Sequence, residues 1–166
     1  MIENNAVYDA VGYGYNFNGY GHKLAAAGGH TQFESFKGNE VAGSRGGIWL
    51  TWSQGEFDLA NYQPQVFQDT LVWHVRQDGL HSYHEANGVF NNLTIVGDPD
   101  ASNRNQGSAF NYAFRSTIGV FQAVGSYENW NMTFDGLDIS GVNVAIAAAD
   151  NEGTRGTLLK LSLIHI

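Results

Sequence analysis

The frame Phe-x-x-Leu-x-Ile-x-Gly limits the folds open to this chain more than any other feature. It occurs at Phe134-Asp-Gly-Leu137-Asp-Ile139-Ser-Gly141 and, 44 residues earlier, at Phe90-Asn-Asn-Leu93-Thr-Ile95-Val-Gly97. A looser copy, Phe36-Lys-Gly-Asn39-Glu-Val41-Ala-Gly43, carries Asn39 in the leucine position. Leu and Ile two apart lie on one face of a strand, because side chains alternate with a period of two. The Phe lies across a bend from them, and the closing Gly supplies a backbone that turns tightly. One such unit leaves its apolar face uncovered, so the recurrence predicts stacked copies.

Phe67-Gln-Asp-Thr70-Leu-Val72 and Phe114-Arg-Ser-Thr-Ile118-Gly119 are degenerate copies. The Phe positions are then 36, 67, 90, 114 and 134, with steps of 31, 23, 24 and 20 residues. The polar stretch Ser53 to Gln65 is the insertion that lengthens the first step. Gly47-Ile48 and Gly79-Leu80 occupy matching places with one residue of slippage, and Gly141-Val-Asn-Val-Ala-Ile146 continues the last copy. The expected fold is an all-β right-handed parallel β-helix of about six coils, one domain over residues 1–160. A β-sandwich carbohydrate-binding module also suits spaced strands, but it leaves the Phe frame unexplained.

Composition agrees with strands and turns: 21 Gly, 13% aromatic residues and only 14% charged residues. Val11, Tyr13, Tyr15 and Phe17 alternate with Gly12, Gly14 and Asn16, which predicts a strand within Asn5 to Asn18. Lys23 to Ala27 reads as one helical turn or a loop excursion. Asn39, Asn91, Asn92, Asn129 and Asn131 suit either a hydrogen-bonded corner ladder or plain turns in left-handed geometry.

The net charge of −8 disfavours nucleic acid and anionic membrane, both of which need a basic surface. No apolar run reaches spanning length, so membrane insertion is not expected. The absence of Cys excludes disulfides and thiolate metal sites. Residues 161–166, Leu161-Ser-Leu-Ile-His-Ile166, resemble the in-frame translation of a transposon-derived sequencing adapter. On that reading the chain is an internal piece, and further domains of the same full-length chain belong among its partners.

The densest chemical cluster runs from His74 through Arg76, Asp78 and His81 to Tyr83, His84 and Glu85. A polysaccharide lyase needs a base for the proton α to a uronate carboxylate and a cation to neutralise that carboxylate; His74, Arg76 and His81 suit those roles. A glycoside hydrolase needs paired carboxylates, which Asp69, Asp78 and Glu85 could supply. The alternative is a polar, solvated turn. Asp98-Pro-Asp100 opens an oxygen-rich loop to Gly107 that suits Ca²⁺, although it lacks the spaced Gly and distal Glu of an EF-hand loop. Trp49, Trp52, Trp73 and Trp130 are candidate sugar-stacking platforms, with Tyr13, Tyr15, Tyr20 and Tyr83 beside them. His84 adds a polar contact for a bound sugar. Asn92-Leu-Thr94 and Asn131-Met-Thr133 fit the glycosylation sequon.

The run Ala6-Val-Tyr8-Asp-Ala-Val11-Gly-Tyr-Gly-Tyr15, followed by Thr31-Gln-Phe33-Glu-Ser-Phe36-Lys-Gly-Asn39-Glu-Val-Ala42, resembles the right-handed parallel β-helix repeats that follow G8 domains. That family includes bacterial secreted proteins and cell-surface hyaluronidase-like proteins. The resemblance spans roughly residues 4–150 through loose structural motifs. The Gly-His and Glu-Asp-Gly elements of animal members are absent, as is the His of Asn-x-Ala-His, so no catalytic residue carries over. The resemblance implies an extracellular or cell-surface protein that binds or acts on polysaccharide. A surface adhesin or structural spacer without chemistry is the alternative.

Overall fold

The structure is a computed structural model. It describes residues 1–18, 35–51, 65–83, 88–97, 118–122, 129–130, 132–147, 154–155, 158–160 and 163–164. All regular elements among these are strands, and no helix among them is long and apolar enough to cross a membrane. The larger sheet has ten strands: β1 (Ile2–Glu3), β2 (Ala6–Tyr8), β4 (Phe36–Lys37), β5 (Glu40–Ala42), β7 (Gln65–Val75), β9 (Gly88–Gly97), β12 (Thr133–Asp135), β13 (Asp138–Ser140), β16 (Leu158–Lys160) and β17 (Leu163–Ile164). The smaller sheet holds β3 (Tyr13–Asn18), β6 (Gly46–Thr51), β8 (Asp78–Tyr83), β10 (Ile118–Gln122) and β14 (Val144–Ala147). A short third pair joins β11 (Asn129–Trp130) to β15 (Thr154–Arg155). Every pairing is parallel.

The register of the larger sheet aligns the repeated frame. Ile2, Phe36, Phe67, Phe90, Phe134 and Leu159 form one column. Val7, Val41, Val72, Ile95, Ile139 and Ile164 form another. The ring centroids of Phe36, Phe67, Phe90 and Phe134 follow one another at 5.1, 4.6 and 5.0 Å. Each aromatic contact of this kind contributes roughly 0.5–1.5 kcal/mol beyond the area it buries. Both sheets share one apolar core, to which the smaller sheet contributes Ile48, Leu50, Leu80 and Val120.

The Phe spacing expected from the sequence is corrected at one place. Phe134 pairs directly with Phe90, so no level built on Phe114 lies between them. Phe114 itself lies outside the described residues, in the stretch between β9 and β10. The larger sheet still has six levels, because Ile2 and Leu159 extend the column at its two ends.

Two corner positions are shared by successive levels. Asn4, Gly38, Asp69, Asn92 and Gly136 all have positive φ, and each directly follows a residue of the register column Glu3, Lys37, Gln68, Asn91 and Asp135. Asn92 therefore serves a left-handed turn, and its Nδ2 also donates to Asp69 Oδ1 at 2.8 Å. Asn39 instead points inward: it accepts from the Asn5 amide at 3.0 Å and donates to the Ile2 carbonyl at 2.9 Å. The second corner carries Asp9, Gly43, His74 and Gly141, again at positive φ. His74 is an extra residue there, since the β7–β9 register shifts between Trp73 and Val75. This bulge accounts for the one-residue slippage between Gly47-Ile48 and Gly79-Leu80.

Those glycines mark where the smaller sheet leaves the corner. A Cβ on Gly14, Gly47, Gly79 or Gly119 would lie 2.4, 2.5, 2.5 and 2.9 Å from side-chain carbons of Val41, Val72, Ile95 and Ile139 respectively. The strand expected over Asn5–Asn18 divides into β2 and β3, and Val11 sits in the bend between them, 95% exposed.

Candidate functional site

Two regions bring chemistry-bearing side chains together. The first is a buried polar cluster on the smaller sheet. Tyr13 pairs with Gly46, and the Gly46 column continues to Asp78. With no side chain on Gly46, the Tyr13 ring lies across it; a Cβ there would be 2.3 Å from Tyr13 Cε1. The phenol thus spans two strand spacings, about 10 Å, and its hydroxyl donates to Asp78 Oδ2 at 2.8 Å. His81 Nδ1 lies 2.9 Å from the same oxygen and 3.3 Å from the Tyr13 hydroxyl. Its role as donor to the carboxylate fixes the imidazole orientation. Trp49 stacks on the His81 ring at 4.2 Å and 3°, and the Tyr13 ring meets Trp49 edge-on at 4.7 Å.

Burial, the Asp78 charge and the hydrogen bond to it push the Tyr13 phenol far above its ordinary range, and Arg45 opposes them. Burial also raises Tyr15. Asp78 is 0% and His81 1% exposed, so a polymer outside the fold does not reach this pair in the arrangement described. The cluster instead ties three levels of the smaller sheet together.

The second region is the outer face of the larger sheet with its adjoining corner. Tyr8, Ala42, Trp73, Val96 and Ser140 form one column. Tyr8 is 58% exposed. Trp73 is half-buried and its indole N–H donates to Glu40 Oε1 at 2.7 Å, which fixes the ring. The His74 ring contacts Trp73 at 4.7 Å from the bulge position. His74 and Arg76 are exposed on either side of buried Val75.

Of the residues expected to carry catalysis, Asp78 and His81 meet in the buried cluster, whereas His74 and Arg76 lie on the outer surface. Glu85, Trp52, His84, Asp98 and Asp100 lie outside the described residues, as does the sequon residue Asn131. Tyr83 and Trp130 are described only through their strands. Among the described residues, no three His, Asp or Glu side chains converge as a metal site would need. Sequence reasoning missed Tyr13 as partner of Asp78, because 65 residues separate them. The signal was Gly46, which vacates the lane between them. No protein-family model, curated protein or solved structure matches this chain.

Proposed function

We propose that the chain winds as a right-handed parallel β-helix of about six coils and binds an extended polysaccharide along the outer face of its larger sheet, outside the cell or at its surface. The observation that carries this reading is the outward column in which Tyr8 and Trp73 flank Ala42. The two aromatic residues stand two strand spacings apart, about 10 Å, a span that matches alternate sugars of an extended chain. An aromatic ring packs on the apolar face of a pyranose, and a ring already held by Glu40 loses little freedom on binding. Binding is favoured over lyase or hydrolase chemistry because Asp78 and His81 are buried.

The test is a glycan array followed by calorimetry on the native protein and the Tyr8→Ala and Trp73→Ala variants. At least one neutral or acidic polymer should bind, and each variant should weaken it by about tenfold or more, 1.4 kcal/mol. A folded protein that binds no polymer would instead support the spacer reading, which the continuous Phe column favours as a rod independent of any ligand.

A further inference from the structure

The turns that carry the chain from the larger sheet to the smaller one stack at successive levels. The Arg76 amide donates to the carbonyls of Ser44 and Arg45 at 3.3 and 3.2 Å. This stacking gathers Arg45, His74 and Arg76 at one corner of a chain whose net charge is −8. The side chains of His74 and Arg76 have no hydrogen bond or ion pair among the described residues. Arg45 Nε donates to Gln77 Oε1 at 2.8 Å. Gln77 is 3% exposed, and its Nε2 is a buried donor with no partner. A buried donor left unmatched is costly, so an acceptor at this corner would remove a standing penalty.

The acids nearby are largely committed. Asp78 is held by Tyr13 and His81, and Glu40 by Trp73. Among the described residues, Asp9 faces the same corner: it lies over Gly43, whose Cβ would sit 2.3 Å from Asp9 Oδ1.

His74 adds a second, independent observation. Its φ is 51°, at a corner where Asp9 also has positive φ and two other levels use Gly43 and Gly141. Glycine adopts that conformation freely and an L-residue does not. An exposed imidazole at a strained position, beside a partly exposed indole, points to use of the side chain.

We infer that this corner binds an anionic substituent of the polymer, a carboxylate or a sulfate ester, through Arg76, His74 and the free end of Arg45, with Trp73 beneath the sugar that carries it. The inference rests on the polysaccharide reading above.

Calorimetry with polygalacturonate against its carboxyl-reduced form, and dextran sulfate against dextran, tests it on the native protein, His74→Gly and Arg76→Gln. At least one charged polymer should bind roughly ten- to a hundredfold more tightly than its neutral counterpart. Which one does so tells carboxylate from sulfate. Both variants should reduce that preference, and His74→Gly should do so without lowering the melting temperature, because glycine suits the bulge. Equal binding of charged and neutral forms would overturn the anion site and leave the polysaccharide reading standing. So would a preference unchanged in both variants. Binding of none of the four polymers would overturn the anion site, and the polysaccharide reading would fall with it only if the glycan array were also blank.

Discussion

Tyr13 shows how one side chain can depend on the absence of another. Its hydroxyl reaches Asp78 only because Gly46 leaves the sheet surface clear. The ionised phenolate is penalised by burial and by Asp78, and Tyr15 is raised by burial as well. Unfolded tyrosines ionise near pH 10. Because the folded values lie higher, this contribution is complete below about pH 10 and declines as pH rises, when the unfolded chain releases protons that the native state keeps. The urea midpoint should therefore fall between pH 9 and pH 11, and Tyr13→Phe should show a smaller fall. An equal fall in the variant would contradict the assignment. Asn39 gives a second prediction at this scale. Asn39→Leu restores the repeated frame, yet it strips the Asn5 amide and the Ile2 carbonyl of their partner. We expect it to destabilise by about 1–3 kcal/mol in chemical denaturation. A stabilised variant would mean that frame matching outweighs those hydrogen bonds.

Among the elements, the corners set the architecture as firmly as the strands do. Five successive levels of the larger sheet carry a left-handed residue two positions after the Phe column, and the side chain there is Asn, Asp or absent. Where Asn4 or Asn92 occupies one level, Gly38 or Gly136 follows, and a Cβ on either glycine would lie 2.5 or 2.6 Å from the Asn Oδ1. The second corner brings the sheets into contact across small residues. Gly79→Ala would place a methyl 2.5 Å from Ile95 Cγ2 and 2.8 Å from the Gly119 carbonyl. Overpacking against backbone should cost about 1–3 kcal/mol, read as a lowered denaturation midpoint. Phe90→Ala removes the ring between Phe67 and Phe134 and should cost about 3–5 kcal/mol. If Phe90→Ala were nearly neutral, the column would not be a packed core.

For the whole molecule, the periodic part of the fold was legible because a strand repeats its inward residues every second position and a stack repeats them every level. Phe36, Leu93, Ile139 and their counterparts report that geometry directly, and all three are buried. Phe114 misled for a physical reason: a Phe followed by an apolar residue and Gly has the local pattern of a level whether or not its strand pairs. Ile118-Gly119, which supply that pattern, belong to β10 of the smaller sheet. The candidate sites were legible only in part. His74 and Arg76 stood out as ionisable residues, but a bulge at His74 decides which way the cluster from 74 to 81 divides, and a single inserted residue leaves little trace in composition. Tyr13, Arg45 and Gln77 join their partners through stacking across levels, which local spacing does not encode.

The pairing of Phe90 with Phe134 tests this account most directly, because 44 residues of sequence separate two rings whose centroids lie 5.0 Å apart. Nuclear Overhauser contacts measured on selectively labelled phenylalanines should link Phe67 to Phe90 and Phe90 to Phe134, with the cross-strand pattern of parallel neighbours. A strand carrying Phe114 between them would move the Phe90 and Phe134 strands to about 10 Å apart and abolish that contact; its absence, or an antiparallel pattern, would contradict the stacked register and the binding face built on it.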